Sequence, residues 1–267
     1  MDGGVTHVQL GALDVAYRAS GRGVPLVMFH GREGDHRVYN ALQDALGDKV
    51  FSVSFDQRDC GSTRWVDPAP ASYSLRDVAG DAVALMASLG YERFHVLGNS
   101  LGGLLAQHLA SHWPDRVDHL VLGLCWPGHS SLRSLYPTGI MRRAELSALG
   151  PAGDRDIAEL MSSPEYVASH PELIARLADL TTMPSAQASA RRQEALVAAE
   201  PIDPSEIQAR TLVIAAERDQ MVPPHIVQSL SDAIPGSAFR LIRNAGHLAA
   251  LEAPDEIAAL VSDFIAD

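Results

Sequence analysis

The segment FHVLGNSLGG sets Ser100 between Gly98 and Gly102, a G-x-S-x-G pattern at the passage from an apolar run into a helical one. That spacing suits a nucleophile. A sharp strand-to-helix turn pushes the hydroxyl out of the sheet, and small residues two positions to either side avoid collision. The start of the following helix offers unpaired backbone N–H groups to a developing negative charge. A nucleophilic serine also needs a base and a group that orients the base. Downstream, TLVIAAE runs into ERDQMVPP, which puts Asp219 just past a strand, and SAFRLIR runs into NAGHLAALEAP, which puts His247 in a loop before the last helix. In such a set His247 takes the serine proton while Asp219 holds the imidazole tautomer and stabilises the imidazolium. Glu217, two residues before Asp219, is the alternative orienter. A tetrahedral oxyanion calls for two donors: the backbone N–H of Leu101, and that of Arg32 in the loop HGREGD, where His30-Gly31 closes an apolar strand.

These residues require a scaffold that delivers loops to one edge. PLVMFH, KVFSVSF, FHVLG, DHLVLGL and TLVIAAE are short apolar runs of the kind found in strands covered on both faces. VTHVQL and LDVAYRAS, joined at Gly11-Ala12, read as a hairpin. RVYNALQDAL is a short helical stretch. SLRDVAGDAVALMASLG has apolar positions at Leu75, Val78, Ala82, Leu85, Met86 and Leu89, with a serine N-cap and a closing glycine. PDEIAALVSDFI reads as the last helix. Strand–helix alternation predicts an α/β fold with a mostly parallel, doubly covered sheet. It breaks once, from about Gly128 to Ala209, where helical patterns such as GDRDIAELM, PELIARLADL and SAQASARRQEALVAAE are separated by prolines. That stretch is too long for a loop and predicts an all-helical insertion.

Composition closes several other chemistries. Lys49 is the only lysine among 21 basic residues, and its surroundings fit neither a P-loop nor a kinase strand nor a Schiff-base site. A formal charge of −12 argues against nucleic acid or an anionic membrane as partner. The sequence holds no apolar run of membrane-spanning length, and MDGGVTHVQL lacks the pattern of a secretory signal. Cys60 and Cys125 make neither a disulfide framework nor a metal pair, so a reducing cytoplasm is expected. No metal or cofactor is expected. His108 and His112 have a metal-like spacing on one helix, but without an intervening glutamate or a third ligand they read as an ordinary helix surface. Arg142-Arg143 and Arg191-Arg192 read as solvated helix faces.

Taken together, GNSLGG, HG after a strand, DQRDCGST, ERDQMVP and AGHLAALEAP resemble the α/β-hydrolase superfamily across the chain apart from the insertion. The resemblance implies an eight-stranded sheet with helices on both faces and a helical cap inserted after the sixth strand. The core would be residues 1–127 and 210–267, and the cap residues 128–209. It implies hydrolysis without a cofactor. Ser100 where haloalkane dehalogenases and epoxide hydrolases carry aspartate sets this chain apart from them. DQRDCGST is similar to the corresponding loop of prolyl iminopeptidases and anthracycline methyl esterases, and GNS to the elbow of meta-cleavage C–C hydrolases. GHLAALEAP is closer to carboxylesterases and enol-lactone hydrolases. The resemblance therefore implies first a serine hydrolase that cleaves an ester or lactone of a small to medium molecule through an acyl-enzyme. C–C hydrolysis of a vinylogous diketone is the alternative, and a non-catalytic ligand-binding protein on the same scaffold comes third. A monomer or a homodimer is expected.

Asp59 stands where the family usually has glycine, which requires a left-handed residue there. The expected pocket takes His30, Gly31, Arg32 and Asn99 from the core loops and Met221 and Leu248 from beside the orienter and the base. His30, before Gly31 at the end of a strand, reads as structural rather than catalytic. Trp126, His129, Tyr136, Tyr166 and Met183 are candidates from around the insertion, each equally suited to its packed interior. The Arg32 side chain either meets a substrate carboxylate or carbonyl or pairs with Glu33 or Asp35.

Overall fold

The computed structural model describes residues 4–32, 34–66, 68–180 and 185–266. β1 (Thr6–Leu10) and β2 (Leu13–Ser20) form an antiparallel hairpin, turned at Gly11 with φ of 59°. β3 (Val24–Phe29) lies parallel to β4 (Val50–Phe55), with α1 (Asn40–Leu46) between them in sequence. β5 (Arg64–Trp65) is a two-residue strand that pairs antiparallel with Leu13 and Asp14 at the start of β2. Next come α2 (Leu75–Ser88), β6 (Phe94–Asn99), α3 (Leu101–His112) and β7 (Val117–Gly123). Among the described residues the insertion is helical throughout. It holds α4 (Leu132–Leu135), α5 (Pro137–Ala148), α6 (Asp154–Met161), α7 (Pro164–Ser169), α8 (Leu173–Leu180) and α9 (Ala186–Val197). The chain returns through β8 (Arg210–Ala216), α10 (Pro224–Ala233), β9 (Ala238–Ile242), α11 (Ala249–Glu252) and α12 (Pro254–Ala266).

Eight strands follow the order β1-β2-β4-β3-β6-β7-β8-β9, and β5 adds a ninth beside β2. From β4 to β9 every pairing is parallel. The strand period of two sorts the core into two layers. Leu26, Met28, Leu97, Val121 and Ile214 pack with α1 and α12, while Val27, Phe29, Val96, Leu122 and Val213 pack with α2, α3 and α10. Both faces are therefore apolar, as the continuous runs predict.

The 3.6-residue period of α2 buries Leu75, Val78, Ala82, Leu85 and Met86, and leaves Leu89 partly exposed. Its start is a capping box: the Ser74 hydroxyl accepts from the Asp77 N–H at 3.1 Å, and the Asp77 carboxylate accepts from the Ser74 N–H at 2.8 Å. Loss of such a cap costs about 1 kcal/mol. The insertion has a small core of its own at Ala158, Val167, Leu173 and Leu177. No helix among the described residues is long and apolar enough to cross a membrane.

Candidate active site

Ser100 is the N-cap of α3, with φ of 56° and ψ of −124°. L-residues avoid that conformation at a cost of about 1–3 kcal/mol, so the packing around the elbow must hold it. The glycines explain how. A Cβ on Gly98 would lie 2.1 Å from the Gly102 carbonyl oxygen, and one on Gly102 would lie 2.0 Å from the Phe29 carbonyl oxygen. Only glycine at both positions lets β6, α3 and the end of β3 approach this closely. The Ser100 N–H donates to the Gly123 carbonyl at 3.0 Å, which pins the turn to β7. Ser100 itself is partly exposed.

Asp219 and His247 meet beyond the ends of β8 and β9. Nδ1 of His247 lies 2.8 Å from Oδ2 of Asp219, and both side chains are buried. Oδ1 of Asp219 accepts the N–H groups of Met221 and Val222, each at 2.8 Å. A carboxylate so engaged has one oxygen left for the imidazole. It fixes the proton on Nδ1 and leaves Nε2 as an acceptor. Glu217 does not reach this site. It is exposed, and its carboxylate accepts from the Asn244 N–H at 3.0 Å.

A residue that sequence reasoning passed over holds the His247 loop. Oε1 of Glu252 accepts from the Gly246 N–H at 3.0 Å, and Oε2 accepts from the Ser163 N–H and hydroxyl at 3.0 and 2.7 Å. The Leu248 N–H donates to the Met161 carbonyl at 3.0 Å. A Cβ on Gly246 would lie 2.7 Å from the Ser162 backbone. The junction of α6 and α7 is thus seated directly against the loop that carries His247.

The loop after β3 approaches from the other side. A Cβ on Gly31 would lie 3.6 Å from the Ser100 Cβ, ordinary contact distance. His30 does not line a pocket. It is fully buried, its Nδ1–H donates to the Gly31 carbonyl at 2.8 Å, and its Nε2 accepts from the Gln57 N–H at 3.3 Å. Burial, then the nearby charge of Arg192, lowers its pKa to about 4 and keeps it neutral. Gln57 returns a bond to the His30 carbonyl at 2.8 Å. Asp56 ties in the preceding residues, accepting from the backbone and ring of His36 at 2.8 and 2.7 Å and from the Ser62 N–H at 2.6 Å. Burial opposes ionisation of Asp56, but these bonds outweigh it and hold the carboxyl below the usual range.

Two expectations about arginines are corrected here. Arg191 and Arg192 are not on a solvated face of α9. Arg191 grips Asp59 through two bonds of 2.7 and 2.6 Å. Asp59 is left-handed, with φ of 63°, and its carboxylate also accepts from the Trp65 indole at 2.9 Å. Arg192 is only 6% exposed and donates to the Arg58 and Arg32 carbonyls at 3.2 and 3.3 Å and to the Gln57 side chain at 3.0 Å. These two side chains fasten α9 to the loops after β3 and β4. Arg142 stays exposed, near Glu145 and Asp156, and Arg143 is half-buried beside Ser147.

The Arg32 side chain is exposed and forms no ion pair with a described residue. Asp35, one of its expected partners, is bound instead to Arg37. The other, Glu33, lies outside the described residues, as does Met183. Among the pocket candidates, Trp126 and Met221 are buried in the main core, Tyr136 is packed against it, and Asn99 lies over Gly123. His129 is exposed. Leu248 and Tyr166 pack on the insertion's own core, and the Tyr166 hydroxyl donates to the Leu251 carbonyl. A small cavity does open beside Leu101, between α2, α3 and α9, lined by Tyr73, Leu75, Val78, Leu105, Arg192 and Ala195. None of these residues is among the pocket candidates read from the sequence, where Leu101 enters only for its backbone and Leu75, Val78 and Arg192 only as helix positions.

Comparison with known proteins gives consistent results. The sequence model described as the alpha/beta hydrolase fold matches residues 24–254. A putative carbamate hydrolase RutD of Caulobacter segnis is 30% identical over 243 residues, covering 85% of each chain. Among solved structures, the enol-lactonase of Burkholderia xenovorans superposes with a TM-score of 0.82 at 22% identity, covering 98% of this chain and 100% of that one. Est816, an enzyme that degrades N-acyl homoserine lactones, superposes with a TM-score of 0.81 at 27% identity, covering 97% and 100%.

Proposed function

The chain belongs to the α/β-hydrolase fold family, and on that premise we propose that it is a serine hydrolase cleaving a carboxylic ester or lactone of a small to medium organic molecule. It would act without a cofactor, as a cytoplasmic monomer or homodimer, with residues 128–209 as a cap over the site. The observation that carries the reading is the buried Asp219–His247 pair at 2.8 Å, set on loops at the same sheet edge as the strained Ser100 elbow.

In this mechanism Nε2 of His247 takes the Ser100 hydroxyl proton as Oγ attacks the acyl carbon. Asp219 keeps the imidazole in the reactive tautomer and stabilises its cation. The oxyanion accepts from the backbone N–H groups of Leu101, at the first turn of α3, and of Arg32. The imidazolium then protonates the departing alkoxide, leaving an acyl-enzyme on Ser100. Water, activated by the same imidazole, releases the acid. The lactone-cleaving activities of the similar structures support this choice of bond, and a carbamate presents the same kind of acyl carbon.

A panel of p-nitrophenyl esters of rising chain length, several lactones, methyl esters, a carbamate and a vinylogous diketone tests the reading. Ester or lactone turnover that disappears in Ser100→Ala, together with phosphonate labelling, is the expected result. Turnover that survives Ser100→Ala refutes the acyl-enzyme, and activity confined to the diketone replaces ester cleavage by C–C hydrolysis.

A further inference from the structure

The helix-surface reading fails in the fold for His108, while His112 keeps a partly exposed place near the end of α3. His108 is fully buried, and neither of its ring nitrogens has a hydrogen-bond partner among the described residues. Buried polar groups are almost always satisfied, so an imidazole orphaned at both nitrogens calls for a ligand. His112 lies one turn further along the same face of α3, with ring centroids 5.8 Å apart. The third group that the sequence lacked comes from 88 residues away: Oε1 of Glu200 is 2.8 Å from Nε2 of His112. One donor atom from each of the three residues lies within 4.8 Å of the others.

We propose that His108, His112 and Glu200 form a binding site for a divalent transition-metal ion of the zinc class. Two imidazoles and one carboxylate suit a borderline ion, whereas calcium and magnesium favour all-oxygen shells. A tetrahedral zinc site sets its ligand atoms about 3.3 Å apart, so the His112–Glu200 pair at 2.8 Å opens slightly to admit the ion and the wider separations close by at most about 1.5 Å. His112 and Glu200 are both partly exposed and free to make that movement. The fourth position falls to water. His108 has a lone pair committed to no other described group, since neither ring nitrogen is bonded within the protein. Arg76 acts on Glu200, and its charge works against the ion.

The second group of this kind, Asp35, His36 and Asp56, is already committed to internal hydrogen bonds. The proposed site stands about 12 Å along α3 from Ser100, at 1.5 Å rise per residue, so it is separate from the reaction centre. Glu200 lies between α9 and β8, where the chain comes back from the insertion. A bound ion would tie that return segment to α3.

The test is a zinc titration of the EDTA-stripped full chain against a chromophoric chelator, with cobalt(II) substitution read by visible absorption. One site is expected, giving the intense spectrum of four-coordinate cobalt and raising the melting temperature. His112→Ala and Glu200→Gln, both altering partly exposed groups, should each weaken that site by more than ~10-fold. Zinc affinity and stoichiometry unchanged in both variants would place the ion elsewhere and overturn the proposal. So would a weak, six-coordinate cobalt spectrum in the parent protein.

Discussion

Acidification should destabilise this protein well before its carboxylates titrate. His30 and His108 are fully buried, and burial is the leading cause that brings each from 6.5 down to about 4. The unfolded chain protonates both imidazoles near 6.5 and the folded chain near 4. Between those values the unfolded state holds more protons, so stability is complete above about pH 6.5 and falls as pH drops towards 4. At about 1.4 kcal/mol per pH unit over roughly 2.5 units, each imidazole accounts for about 3 kcal/mol. Together they make a slope approaching 3 kcal/mol per pH unit, against a net stability of about 5–15 kcal/mol for a typical domain. His95, buried on β6, shifts the same way and steepens the fall. Asp56 and Asp59 are held below the usual carboxylate range, so their contributions are lost only at lower pH. Urea unfolding followed by tryptophan fluorescence, in EDTA at about pH 7.5, 6 and 5, measures the slope. His108→Leu breaks no hydrogen bond with a described residue and should remove about half of the His30–His108 slope. A stability that stays flat between about pH 7.5 and 5, or an unchanged slope in His108→Leu, would refute the reasoning.

Two further outcomes follow from the close approach at Gly102 and the hydrogen bonds of Glu252. Gly102→Ala forces a methyl to within 2.0 Å of the Phe29 carbonyl, so kcat on a p-nitrophenyl ester should fall by ~10²-fold and stability by about 1–3 kcal/mol; parent-like kinetics and melting would contradict the close approach. Glu252→Gln replaces one of two accepting oxygens by a donor, so either Gly246 or Ser163 loses its bond and the His247 loop loosens. The expected result is a fall in kcat of ~10-fold with KM little changed, and a raised KM with kcat unchanged would mean that Glu252 acts on binding instead.

What could be read in the sequence was local. The elbow at Ser100 is legible because its glycines are two residues away and the reason for them is steric. α2 is legible because a capping box and an apolar period sit within one segment. Asp219 and His247 are legible because parallel strands end where loops gather. Arg192 was misjudged because an arginine on a polar helix looks solvated, and its partners at Arg32 and Arg58 lie 160 and 134 residues away. The His112–Glu200 contact is hidden for the same reason, since the two residues lie 88 apart in the sequence. β5 is two residues long, too short for any period to register. The cavity beside Leu101 is walled by three helices that meet only in the fold, so no segment of the sequence carries its outline.

The two consecutive arginines of α9 have a mechanical consequence. Neighbouring helical residues point about 100° apart around the axis. Arg191 anchors one side of α9 to the Asp59 carboxylate, and Arg192 anchors another to the carbonyls of Arg32 and Arg58. Two tethers at that angle resist rolling as well as lifting: rotating the helix to relax one stretches the other. α9 is therefore held against the core loops in rotation as well as in position. The junction of α6 and α7 is tethered separately, through Glu252 to Ser163, so the insertion is fastened to the core loops at two points rather than one.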